Sequence, residues 1–273
     1  MAYEITIDSS TTERQYWKDI WHFRELFLFL SWRDILVRYK QTAIGIVWAV
    51  LRPFLTMVVL TIVFGKLAKF PSDGAPYPVL VFAALLPWQF FAGALSESSN
   101  SLIGNANLIS KVYFLRLIIP ASSVMVSFVD FLISAAILIT LMVWYNFWPT
   151  WRILVLPVFI LIAFAAAMGA GLFLSSLNVK YRDIRYIVPF VVQFGLYISP
   201  VGFSSTVIPY NWRFLYSLNP MVGVIDGFRW SLLGQNVDFY LPGFLLSICL
   251  VALLFFSGLW YFRRTELYFA DVI

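Results

Sequence analysis

Long apolar runs, almost free of charge, recur along this chain and restrict its fold more than any other feature. A helix needs about 20 apolar residues to cross the hydrocarbon core of a bilayer. Runs of that kind extend from Ile44 to Phe64, Tyr77 to Leu95, Leu117 to Tyr145, Ile153 to Leu177, Tyr186 to about Phe203 and Leu241 to Phe262. Of 273 residues, 61% are hydrophobic and 12% charged, against about a quarter charged in a soluble domain. There is too little polar surface to cover a water-soluble globule of this size. The expected fold is an all-α integral membrane protein with about six transmembrane helices, in which residues 1–42 form a cytoplasmic N-terminal segment and residues 43–273 a single spanning domain.

Lys and Arg gather in the segment before the first run, in the loops after the second and fourth, and at the C-terminal end. Thirteen fall on that side, from Arg14 to Arg264; Lys66, Lys69, Arg152, Arg213 and Arg229 fall on the other. Basic residues concentrate on the cytoplasmic side of a membrane protein, so both termini are expected there. This positional pattern accounts for the net charge of +5 without a nucleic-acid partner. Residues 1–15 are polar and do not read as a cleavable signal.

Several chemistries lack their residues. The single cysteine, Cys249, lies in an apolar run, and with the lone His22 it makes no zinc set, disulfide or hydrolytic dyad. A phosphate cradle needs a glycine-rich turn ending in Gly-Lys-Ser/Thr. The Gly65-Lys66 pair is followed by Leu67 and has no upstream glycine at the required spacing. No metal site, cofactor or catalytic residue is expected in this chain, and nucleotide hydrolysis would have to come from another. Asp130 is the acid expected within a span. It reads either as an ion relay or as a helix–helix hydrogen bond to Ser127, Ser134 or a neighbouring span.

Three segments do not span. Tyr16 to Gln41 has helical periodicity, with Trp17, Trp21, Leu28, Trp32, Ile35 and Tyr39 inside a narrow sector. This amphipathic helix either lies on the membrane surface or packs on protein, or does both with different faces. Ser96 to Arg116 is a polar connection in which Leu95, Leu102, Ile103 and Ile109 form one side of a short surface helix. Ser204 to Tyr240, broken by Pro209 and Pro220, reads as short helices folded back into the outer leaflet, or else as a plain loop. Aromatic residues in and beside the spans, including Trp48, Trp88, Phe90, Phe91, Phe194, Tyr197 and Phe203, are either interface belts or the lining of a path for sugar rings.

Five stretches in order resemble one family. They are RDILVRYKQTAIGIVWAVLRP from Arg33, LLPWQFFAGAL with NANLISKVYFLRLIIP from Leu85 to Pro120, NVKYRDIRYIVPF from Asn178, SLNPMVGVIDGFRWSLLG from Ser217, and FRRTELYFADVI at the end. Together they resemble the membrane subunit of ABC-type polysaccharide exporters, the O-antigen export permeases in particular. That resemblance implies a homodimer in the bacterial inner membrane, joined to two separate ATP-binding cassette subunits that hold ATP and Mg2+. It implies a polysaccharide cargo on undecaprenyl pyrophosphate. By the same analogy Ser99, Asn100, Asn105, Asn107 and Lys111 meet the ATPase, with Tyr181, Arg182 and Asp183 as a second contact, and the outer helices form a gate. Arg38, Lys40 and Arg52 are then placed to receive pyrophosphate, for which a planar guanidinium fork is suited; each also reads as a topological anchor. Trp48, Trp88, Phe194, Tyr197 and Phe203 would line the path. Another cargo, such as teichoic acid, capsule, a drug or a lipid, is the alternative within transport. A membrane enzyme acting on polyprenyl-linked sugars is the alternative outside it.

Overall fold

The computed structural model describes residues 21–40, 45–112, 114–234 and 239–269. Expectations for Arg14, Trp17, Lys18 and the start of the first run at Ile44 lie outside the described residues. Among the described residues there is no strand. The helices are α1 (Arg24–Lys40), α2 (Gly45–Leu60, continued by a π-helical turn over Thr61–Leu67), α3 (Tyr77–Gly104), α4 (Ala106–Lys111), α5 (Ile118–Trp144), α6 (Leu156–Lys180), α7 (Ile184–Ile198), α8 (Tyr210–Tyr216), α9 (Pro220–Leu233) and α10 (Leu241–Thr265).

Five of these are long and apolar enough to cross a membrane: α2 with its π turn, α3, α5, α6 with the short 3-10 turn before it, and α10. The fifth expected span is different. α7 ends at Ile198 after 15 residues, a length of about 22 Å at 1.5 Å per residue. Pro200 follows, and the residue before a proline is pushed away from helical geometry; Ser199 accordingly takes φ −77° and ψ 153°.

The second run also departs from expectation, in the other direction. α3 does not stop at Leu95 but continues to Gly104, 28 residues in all. Ser98 and Ser99 are therefore interior residues of a helix and fully buried. A Cβ on Gly171 of α6 would lie 2.6 Å from Ser98 Oγ, so small residues on both helices bring them close, as is common where lipid supplies no hydrophobic drive between helices. α3 is the central element. Val79 through Ala84 have no exposure at all, and its neighbours include α2, α5, α6, α7 and α9.

A second apolar cluster closes the end of the bundle where α4 lies. It joins Leu30 of α1 with Leu102, Ile109, Phe114, Leu117, Leu172, Val179, Phe262 and Phe269. Phe23, Leu26 and Phe27 pack against it, while Trp21, Leu28 and Trp32 are 71%, 62% and 61% exposed. α1 thus packs on protein with one face and leaves its tryptophan edge uncovered. In the polar connection, Leu95, Leu102 and Ile109 are buried as expected, and Ile103 is exposed.

At the opposite end the described part of Ser204 to Tyr240 is not a plain loop; it carries α8 and α9. Pro220 opens α9 at a position where its missing N–H costs nothing, and Asn219 Oδ1 accepts the Met221 N–H at 3.0 Å. α9 is almost wholly buried, against α10, α3 and α6. α6 and α10 meet backbone to backbone: a Cβ on Gly258 would lie 2.1 Å from the Gly169 carbonyl oxygen. Gly258→Ala should therefore destabilise the fold by about 1–3 kcal/mol, the usual cost of overpacking. Thermal unfolding in detergent checks this. Gly104→Ala, where a Cβ meets nothing within 4 Å, should leave the transition where it is.

Candidate functional site

A cavity of about 730 Å³ opens between the C-terminal end of α1 and helices α2, α3, α5 and α7. Its wall carries Arg38, Tyr39, Arg52, Glu97 and Asp130 as charged or phenolic groups, Gln89 and Gln193 as amides, and Trp48 and Trp88 as flat apolar faces. Such a wall offers hydrogen bonds and aromatic contact at once, the combination that a sugar ring can use.

Arg38 organises the polar side. Its Nη2 lies 3.0 Å from Asp130 Oδ2 of α5, and its Nη1 lies 3.3 Å from Glu97 Oε1 of α3. The Tyr39 hydroxyl donates to the other oxygen of Asp130. Burial, reinforced by that hydrogen bond and by the carboxylate charge, raises the pKa of the Tyr39 phenol, which remains a donor. Asp130 thus bonds across helices to Tyr39 and Arg38 of α1, in place of Ser127 or Ser134. Its partners come from α1, 91 positions away in sequence for Tyr39, and no local pattern announces them. The ion pairs are partly exposed, Arg38 and Asp130 at 37% and 30%, so they fix geometry more than they stabilise the fold.

Of the residues expected to bind substrate, Arg38, Arg52, Trp48 and Trp88 come together in this wall. α7 reaches Trp88 because of Gly195, where a Cβ would stand 2.5 Å from the indole ring. Lys40 is exposed at the end of α1 and is not among the residues lining the cavity. Phe194 and Tyr197 lie on the exposed face of α7, at 51% and 59%. Phe203 belongs to the opposite end, with ring centroids 6.0 Å from Phe64 and 6.1 Å from Phe70. Glu97, Gln89 and Gln193 are polar lining residues that no sequence pattern marks; Asp130 stands out in sequence as an acid in an apolar run, though not as a binding residue.

The expected ATPase-facing residues divide into two kinds. Asn100, Asn107, Lys111, Tyr181, Arg182 and Asp183 are exposed at the end where α4 lies. Ser99 is buried, and its carbonyl accepts from Asn178 Nδ2 at 2.8 Å, tying α3 to α6. Asn105 is half-buried; its Oδ1 accepts from Arg33 Nη2 at 3.0 Å, which fastens α1 to the α3–α4 junction. Both act inside the chain here.

A second polar constellation holds the break after α7. Arg229 is 1% exposed. It donates to the carbonyls of Phe203 at 2.7 Å, Val201 at 3.0 Å and Leu80 at 3.3 Å. The Tyr77 hydroxyl donates to Gly202 O at 2.7 Å, and the Tyr216 hydroxyl to Ile198 O at 2.7 Å. Arg229 had been counted with the outer loop charges; it is instead an interior clasp. Arg152 and Arg213 likewise turn to backbone carbonyls, of Gly234 and of Thr206 and Ile208.

Comparison with known proteins matches residues 25–233 to the ABC-2 type transporter family. The chain is 27% identical over 214 residues to an O-antigen export system permease protein RfbA of Myxococcus xanthus, covering 78% of this chain and 82% of the relative. It is 26% identical over 259 residues to the RfbA of Klebsiella pneumoniae, covering 91% and 95%. The polysialic acid transport protein KpsM of Escherichia coli is 24% identical over 254 residues, covering 88% and 92%. The matched region runs from the start of α1 to the end of α9 and so contains both constellations.

Arg229→Met keeps most of the side-chain volume but strands the carbonyls of Val201 and Phe203, each at about 1–3 kcal/mol when buried. Folded yield in detergent should fall sharply, and further than for Arg152→Met, which strands one.

Proposed function

The chain belongs to the ABC-2 type transporter family, and from that premise we propose that it is the permease subunit of an ATP-driven exporter. Its cargo is a polysaccharide carried on undecaprenyl pyrophosphate, moved from cytoplasm to periplasm across the bacterial inner membrane. The working unit is a homodimer with two separate ATP-binding cassette subunits, which hold ATP and Mg2+. The relatives named for O-antigen export and polysialic acid transport support a glycan cargo. The lack of any phosphate cradle in this sequence supports a separate motor.

The observation that carries the reading is the cavity. A membrane-embedded wall that combines Trp48 and Trp88 with Gln89, Gln193 and an exposed Arg52 suits a lipid-borne sugar whose first unit is joined through phosphates. The tryptophan faces give sliding contact without deep hydrogen-bond wells, and a guanidinium receives phosphate oxygens in pairs. Both termini are then cytoplasmic, since the basic residues of α4 and of the ends of α6 and α10 lie at one end of the bundle. The exposed residues Asn100, Asn107, Lys111, Tyr181, Arg182 and Asp183 offer the ATPase a surface at that end. Capsule-type glycan is the second reading, favoured by the polysialic acid relative.

Arg52 decides whether the cavity is on the cargo's route. It makes no ion pair with a described residue, so its removal leaves no buried partner behind. Arg52→Gln should lower surface glycan about tenfold in a complemented deletion strain, the scale of one charge-assisted hydrogen bond. Copurification of the ATPase should be unchanged. Normal export in that variant removes the cavity from the pathway; loss of the ATPase along with export assigns Arg52 to assembly instead.

A further inference from the structure

Arg38 is held on both arms of its guanidinium before any cargo arrives. Glu97 from α3 and Asp130 from α5 each present one carboxylate oxygen to it, at 3.3 and 3.0 Å. Two anionic oxygens from two separate groups, both on one guanidinium, are also what a pyrophosphate presents. Resting on the cargo reading above, we infer that Glu97 and Asp130 are internal stand-ins for the pyrophosphate, and that the lipid-linked substrate gains Arg38 by exchanging with them.

The charges of the wall make exchange necessary. Arg38 and Arg52 are balanced there by Glu97 and Asp130, so an arriving pyrophosphate meets no net attraction until the acids give way. The structure gives each displaced acid a destination. Asp130 keeps the hydroxyl of Tyr39 on its other oxygen and is not stranded when Arg38 turns away. Glu97 is 52% exposed and passes into water, where a free carboxylate has no desolvation cost. The exchange has a mechanical side. Arg38 ties the end of α1 to both α3 and α5, so cargo that takes Arg38 frees that end from α3 and leaves the Tyr39–Asp130 bond as its polar tie to α5. In the empty protein both ion pairs of Arg38 are in place, and a lipid without phosphates offers Arg38 nothing to exchange for them.

The test uses the full chain with its ATPase subunits in nanodiscs and compares binding of undecaprenyl pyrophosphate with that of undecaprenol. Asp130→Asn and Glu97→Gln should each bind the pyrophosphate about three- to fivefold more tightly, the worth of a partly exposed ion pair, with undecaprenol unchanged. In an Arg38→Gln background that gain should vanish. Tyr39→Phe, which deprives Asp130 of its second partner, should weaken pyrophosphate binding by a similar factor. A gain shared by undecaprenol, or one that survives without Arg38, overturns the exchange, and so does weaker binding in both acid variants. Should Asp130→Asn fail to assemble, Glu97→Gln on its half-exposed side chain carries the same test. Wild-type protein that binds the pyrophosphate no better than the alcohol sinks the cargo reading as well; preferential wild-type binding with indifferent variants sinks only the exchange.

Discussion

Within hydrocarbon no water is available to satisfy a peptide group, so every backbone donor and acceptor needs a partner in the protein. A continuous helix solves this by itself. A helix that stops inside the membrane does not, and α7 stops after 15 residues. The half of the molecule away from α4 is arranged around that break. Carbonyls at Ile198, Val201, Gly202 and Phe203 are each met by a side chain from elsewhere: Tyr216, Arg229, Tyr77 and Arg229 again. Burying an arginine is costly unless it is well hydrogen-bonded, and here each of its three nitrogens donates to a carbonyl. The broken helix and the buried cation thus solve each other's problem. α9 must be helical and deeply seated because it carries Arg229 to that spot.

The rest of the packing relies on closeness instead of oil. Lipid tails compete equally for apolar side chains, so helices associate through fit and small residues. Gly169 with Gly258, Gly171 with Ser98, and Gly223 with Ser247 mark the tight crossings, each with no room for a Cβ. Ser247 Oγ also accepts the Gly223 amide at 3.2 Å. These contacts gather α6, α10, α3 and α9 into one body. Aromatic rings fill the wider gaps: Phe90, Phe128 and Phe131 lie within 6 Å of one another, centroid to centroid.

What the residues alone disclosed followed the physics that is local. Hydropathy located the five long apolar helices, because transfer to lipid is a sum over neighbouring residues. The tryptophan edge of α1 emerged from period 3.6, and the burial of Leu102 and Ile109 from the same spacing. Reasoning from neighbours failed where polarity served a distant partner. Ser98 and Ser99 read as part of a polar connection because serine is polar, yet both are buried in α3, Ser98 facing Gly171 where α3 and α6 approach and Ser99 taking the Asn178 amide. Arg229 looked like a loop charge, since nothing nearby reveals that carbonyls 26 and 28 positions earlier await it. At the cavity, Arg38 and Trp88 were recognisable by residue type. Glu97 was not, for an acid at the end of an apolar helix has no distinguishing mark until α1 is seen lying across it.

α3 is buried over most of its length, whereas α2 has few buried residues and α7 has only Ile184 and Val188. The helix at the centre is therefore a post: rotating it would disturb contacts with nearly every other element. α2 and α7 hang at its side, with most of their surface left uncovered by the rest of the chain. A change in the width of the cavity between them would cost lipid rearrangement and leave the core intact. That division of labour sets a tightly held core beside a cavity whose outer walls are only lightly held.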